Sequence, residues 1–146
     1  MKAGRQGRNL TGNGGQTLVE FAACSIVAVM LLLGVVEFGR MVLAYATINN
    51  AARVGLRFAM VHGSNNVAAT SDVQAIVNNY LGAAAIDTSS TTTTVSYPGN
   101  SLGCAAGSKS PGCPVEVQVS YPYQTMVSYY PIHVTLSSQT EGVITF

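Results

Sequence analysis

Leu18-Val-Glu-Phe-Ala-Ala-Cys-Ser-Ile-Val-Ala-Val-Met-Leu-Leu-Leu-Gly-Val-Val-Glu-Phe-Gly-Arg40 decides how the rest of this 146-residue chain is read. Phe21 to Val36 is a run of 16 residues without a charge. As an α-helix that run spans ~24 Å, a little short of the ~30 Å hydrocarbon core of a bilayer. Counted from Leu18 to Gly39, with Glu20 tolerated near one end, the helix is long enough to cross. Upstream, Lys2, Arg5 and Arg8 lie in a segment without acid, and residues 9–15 are turn-forming and show no hydrophobic periodicity. The positive-inside rule keeps such a basic leader in the cytoplasm and places everything after Arg40 outside.

Beyond the apolar run the helical pattern continues. Phe38, Met41, Val42, Tyr45, Ile48, Ala52, Leu56 and Ala59 recur at spacings of three and four, which predicts one apolar face. Arg40, Thr47, Asn50, Arg53 and Arg57 fall mostly on the other side. No proline occurs from Gln16 to Met60, so a single helix of about 40 residues is expected, ended by His62-Gly63-Ser64-Asn65-Asn66. Ser71 and Gln74 have capping-box spacing and open a short helix to Tyr80 or Leu81, with Val73, Ile76, Val77 and Tyr80 on its inner face. After Gly82 the chain turns to β-branched and aromatic residues. Thr91–Tyr97, Val115–Tyr121 and Ile132–Leu136 are predicted strands, Val143–Phe146 a possible extension, and Pro98-Gly99, Pro111-Gly112 and Tyr121-Pro122 the turns. Thr88–Thr94 reads as a polar edge strand or loop. The expected fold class is α+β: a long membrane-spanning helix packed on a short helix and a small antiparallel sheet. The expected division is a leader over 1–15, a transmembrane helix over 16–40, an extramembrane half-helix over 41–62 and a small α+β domain over 63–146.

Composition narrows the function classes. Apolar residues make up 48% of the chain and charged residues 9%, against about 25% charged in ordinary soluble proteins. The formal net charge of +1 excludes a strongly basic nucleic-acid binder. Beyond the leader there are four basic and six acidic residues, a net charge of −2. Gly12-Asn13-Gly14-Gly15 has neither a preceding strand nor a following lysine, so it is no phosphate loop. The serines lack a Gly-x-Ser-x-Gly setting. His62 and His133 have no carboxylate or cysteine at ligand spacing. Catalytic, cofactor-binding and metal-ligating residues are therefore not expected, nor is a small-molecule substrate.

The sharpest local feature is Gly15-Gln16-Thr17-Leu18-Val19-Glu20-Phe21, where a carboxylate sits inside an apolar helix. An ionisable group there is costly unless it finds a partner or lies near an end of the membrane helix. If the chain is cut after Gly15, the new amine of Gln16 lies about one helical turn from Glu20, and the amine of a neighbouring subunit can also reach it. The competing reading is a carboxylate that snorkels to the headgroups. Glycine, a cut, then glutamate and phenylalanine at the fifth and sixth mature positions resembles the class III type IV prepilin signal. Gln16–Ala22, Gly34–Arg40, Asn50-Ala51-Ala52-Arg53 and Val61-His62-Gly63 together resemble a TadE-like pseudopilin of the tight-adherence (Tad, Flp-type) pilus system. Val119-Ser120-Tyr121-Pro122-Tyr123 is similar to that family's closing strand and turn. Ala22-Ala23-Cys24-Ser25 departs from the family, which usually carries a proline in the apolar stretch, and this implies a straighter helix.

The resemblance implies a minor pilin that supports pilus assembly from the bacterial inner membrane. Gly15 and Gln16 are then the processing site for prepilin peptidase, and Glu20 and Phe21 the assembly residues that meet other pilin-like subunits and the assembly machinery. An alternative is an exported binding domain with an ordinary secretory signal cut at Ala44-Tyr45-Ala46. Elsewhere, Cys104 and Cys113 enclose a short turn-rich loop that an oxidising compartment would close as a disulfide, two reduced thiols being the alternative. Cys24 reads as a small buried hydrophobe. Glu37 and Arg40 can pair at the outer interface. Arg53 and Arg57 are either a solvated face or a contact for an acidic partner.

Overall fold

With no proline and few β-branched interruptions after Val36, the backbone keeps helical hydrogen bonding from Gly14 to Val61, a 48-residue helix α1. The structure is a computed structural model that describes residues 14–62, 70–99, 103–126 and 134–145. The chain divides into two compact units, Met1–Val36 and Glu37–Phe146. The described part of the first is helix alone, and its large apolar side chains, from Leu18 to Val36, are exposed. A 47-residue stretch, Gly15–Val61, is long and apolar enough to cross a membrane.

The second unit holds the rest of α1, helix α2 (Thr70–Ala83) and strands β1 (Thr92–Ser96), β2 (Pro114–Tyr123) and β3 (Val134–Val143). The three strands form one antiparallel sheet in the order β1-β2-β3. The fold is α+β, a long apolar helix with a short helix and a three-stranded antiparallel sheet. Strand alternation sends Val115, Val117 and Val119 inward, where they meet Ile48, Ala51, Ala52, Leu56 and Ala59 of α1 and Val73, Val77 and Leu81 of α2 in one core. Gly55 lets the two helices approach: a Cβ there would come within 2.7 Å of the Val77 side chain. Gly142 plays the same part between β3 and α1, where an added Cβ would come within 2.6 Å of the Met60 sulfur.

The inward stripe of α1 carries the predicted Ile48, Ala52, Leu56 and Ala59 but departs from the predicted face at other positions. Phe38, Val42 and Tyr45 are 64%, 49% and 47% exposed, whereas Ala51 and Gly55 are buried. At Gly55 the approach to Val77 of α2 leaves no room for a side chain. On α2 the third buried position is Leu81, and Tyr80 is exposed. Gln74, assigned by spacing to a capping box, donates its side-chain amide to the Thr93 carbonyl at 2.8 Å and ties α2 to β1.

Two strand boundaries also move. Tyr121-Pro122 is not a turn but part of β2, with Pro122 opposite Thr135. The proline is tolerated because β1 pairs β2 only from Glu116 to Ser120, leaving the following residues at an edge. β3 starts at Val134 and runs unbroken to Val143, so Ser137–Glu141 is strand and not a gap. Its inner positions are Leu136, Ser138, Thr140 and Gly142, small or polar residues that blur the hydrophobic alternation. Ser138 is buried and donates its hydroxyl to Asn49 of α1 at 3.3 Å. The predicted helix end at 63–66 lies outside the described residues, as do Ile132, His133 and Phe146.

Candidate functional site

Gly15, Gln16, Glu20 and Phe21 lie on the first turns of α1, and all four are exposed. A side chain added at Gly15 would meet open space, so nothing among the described residues requires glycine there. Glu20 follows Gln16 by four positions, a rise of about 6 Å along one helical face. Phe21, Leu18 and Val19 surround this carboxylate with exposed apolar surface. An amine at position 16 and a carboxylate at position 20 on such a face can pair with each other or, across two copies, with the opposite group of a neighbour. Cys24, expected to be buried, is a free, exposed thiol on the same apolar helix.

A second constellation stands where the second unit begins. Glu37 Oε2 accepts from Arg40 Nη1 at 3.2 Å, the pair that three-residue spacing anticipates. Its other oxygen, Oε1, accepts from the Tyr123 hydroxyl at 2.9 Å and from the Met126 backbone N–H at 3.3 Å. One carboxylate thus ties α1 to the end of β2 and to the segment that leaves it. Tyr123 is only 6% exposed. Burial and the Glu37 carboxylate beside it push its phenol above the ordinary tyrosine range. Sequence reasoning singled out both residues, Glu37 for its charge and Tyr123 for its place in the closing motif. Nothing in their spacing joins them, since they stand 86 positions apart.

The far end of the sheet is closed differently. Cys104 and Cys113 are joined in the structure, with Cα atoms 5.6 Å apart. The enclosed loop is also held by Gly107 N–H donating to the Tyr97 carbonyl at 2.9 Å, and by Lys109 Nζ 5.0 Å from the Tyr97 ring centre. Gly112 N–H and the Cys113 carbonyl bond Ile144 on both its backbone groups, at 2.8 and 2.9 Å. His62 stacks on Phe58 with ring centres 4.0 Å apart, its Nδ1 3.0 Å from the Phe58 carbonyl. Arg53 and Arg57 are exposed. Among the described residues, no three His, Cys, Asp or Glu side chains come together to hold a metal ion.

An exposed apolar helix, long enough to cross a membrane, runs on into the core helix of a small α+β unit. Residues 15–57 match the family model described as TadE-like protein. The match covers the apolar helix and its continuation into the core, and it ends before α2, the sheet and the disulfide. Over that segment the chain is similar to TadE-like proteins. No curated protein and no solved structure matches the chain.

Proposed function

We propose that the chain is a minor pilin, or pseudopilin, of a Tad-type pilus system. In this reading it is inserted in the bacterial inner membrane with its N-terminus cytoplasmic and residues after Arg40 extracytoplasmic. Prepilin peptidase removes residues 1–15, and the mature chain supports pilus assembly through other pilin-like subunits and the assembly machinery. Glu20 offsets its desolvation by pairing with the Gln16 amine of a neighbour, which favours one axial register between subunits. Phe21 and the exposed apolar residues around it face lipid before assembly and neighbouring helices after it. The observation that carries this reading is the TadE-like match over a helix whose first half is apolar and bare while its second half is core.

Cleavage after Ala46, as a secretory signal would require, fits the structure poorly. It would remove Glu37 and leave the buried Tyr123 hydroxyl without its acceptor. Intact mass of the membrane-extracted chain separates the two. The mature protein is expected to begin at Gln16, and Gly15→Leu to leave the precursor uncut. A chain beginning at Thr47 would establish secretion instead.

A further inference from the structure

β1 stops pairing with β2 at Ser120, and the strand end beyond it, Tyr121–Tyr123, borders an open cleft of about 170 Å³. Its other walls are Arg40 and Thr47 of α1 and the turn Ala84–Ile86 that follows α2, with Gln124 at the end of the strand. A single water needs about 10–15 Å³ of such space, so the cleft holds a small polar group but not the face of a folded partner. Ala85 holds a left-handed backbone, φ 57°, at this wall.

The charges beside the cleft are paired but not spent. Arg40 engages Glu37 through Nη1 alone among the described contacts, and its side chain is 43% exposed. Glu37 Oε1 is taken by Tyr123 and Met126, while among the described residues Oε2 has only Arg40. A cation and an anion 3.2 Å apart, both reachable from solvent, form a neutral site. A simple anion would meet Glu37 as well as Arg40, and a simple cation the reverse. A zwitterion meets both favourably. Arg40 follows Val36, the last residue of the exposed apolar run, by four positions, a rise of about 6 Å. That is the level of lipid headgroups if the run crosses a bilayer.

The geometry points to a binding site for the zwitterionic headgroup of an aminophospholipid, with its phosphate on Arg40 and its primary ammonium on Glu37 Oε2. The inference rests on the membrane-anchored reading above. Thr47 already donates its hydroxyl to the Leu43 carbonyl at 2.9 Å, so towards the headgroup its oxygen acts as acceptor. The Gln124 amide supplies a further donor for phosphate. A primary ammonium donates hydrogen bonds that a quaternary one cannot, so the site separates phosphatidylethanolamine from phosphatidylcholine. Glu37 disfavours phosphatidylglycerol, which is anionic throughout.

The test uses the full chain in nanodiscs of mixed phosphatidylethanolamine, phosphatidylcholine and phosphatidylglycerol, with retained lipid identified by native mass spectrometry. At least a threefold enrichment of phosphatidylethanolamine over both others is expected. Arg40→Gln should abolish it by removing the phosphate partner. Ala84→Phe should abolish it by filling the cleft while leaving the Glu37–Arg40 pair in place, with unchanged circular dichroism as the check on folding. Stronger retention of phosphatidylglycerol would mean a plain anion site and overturn the proposal. Equal retention of all three, or enrichment that survives Ala84→Phe, would overturn it too while leaving the pilin reading untouched. A chain that does not enter the bilayer at all would bring down both.

Discussion

Ala85 shows how a single residue can carry strain that local sequence conceals. Ile86 N–H bonds the Leu81 carbonyl and Ala85 N–H the Gly82 carbonyl, both at 3.1 Å, the two bonds of a Schellman cap on α2. The cap puts its left-handed position on Ala85, where a Cβ costs about 1 kcal/mol. Ala85→Gly relieves that clash but enlarges the unfolded ensemble, so a net gain of about 0.5 kcal/mol in a urea melt is expected. Tyr123 is the opposite case, a residue held by a partner. Its raised phenol pKa, due first to burial and then to Glu37, means the folded state keeps a proton that the unfolded chain loses near pH 10. This contribution is complete below pH 10 and is lost as pH rises through the raised value. Tyr97, raised by burial, acts in the same direction. Tyr123→Phe in a fragment beginning at Glu37 should lower the melting temperature by roughly a few degrees at pH 7. It should also flatten, without removing, the fall in stability between pH 10 and 12. An unchanged alkaline limb would show that the Glu37 contact forms no part of the folded unit.

The elements differ in how far they rest on neighbours. β2 is central in the sheet and its alternation is visible in sequence, because it needs only one buried face. β3 is an edge strand whose inner positions lie against α1, and there Ser138 and Gly142 serve better than large apolar residues. The loop ahead of β2 is closed by Cys104–Cys113 and separately by backbone bonds to Tyr97 and Ile144. A loop of this length gains somewhat under ~3 kcal/mol from the bond in the chain-entropy model. Replacing both cysteines by serine should therefore cost about 2–3 kcal/mol yet leave a folded unit, because the backbone anchors survive. Alkylation of the unfolded, unreduced protein should add one label, at Cys24. Three labels would mean that the bond does not form in the cell.

For the whole molecule the proposed pilin role turns on Glu20, exposed on a helix that presents apolar side chains along its first half. Glu20→Gln keeps size and polarity and removes the charge. The variant is expected to insert and to be cut after Gly15, yet to yield far fewer crosslinked complexes with other pilin-like subunits and few or no pili. Normal pili with Glu20→Gln would show that the carboxylate only snorkels to the headgroups.

Sequence alone determined the features that depend on one residue at a time or on a fixed local period. Hydropathy marked the helix able to cross a membrane, the missing prolines its continuity, the blocks between Gln16 and Gly63 its resemblance to TadE-like proteins, and the valine alternation the central strand. Tertiary structure decided which side of α1 turns inward, how far β3 extends and what Gln74 bonds. It also decided that Glu37, 86 positions from Tyr123, closes the base of the folded unit. Periodicity reports only that a face is apolar. Which of several apolar or polar groups is buried depends on the shape and hydrogen-bonding needs of the surface it meets, and that surface exists only once the chain has folded.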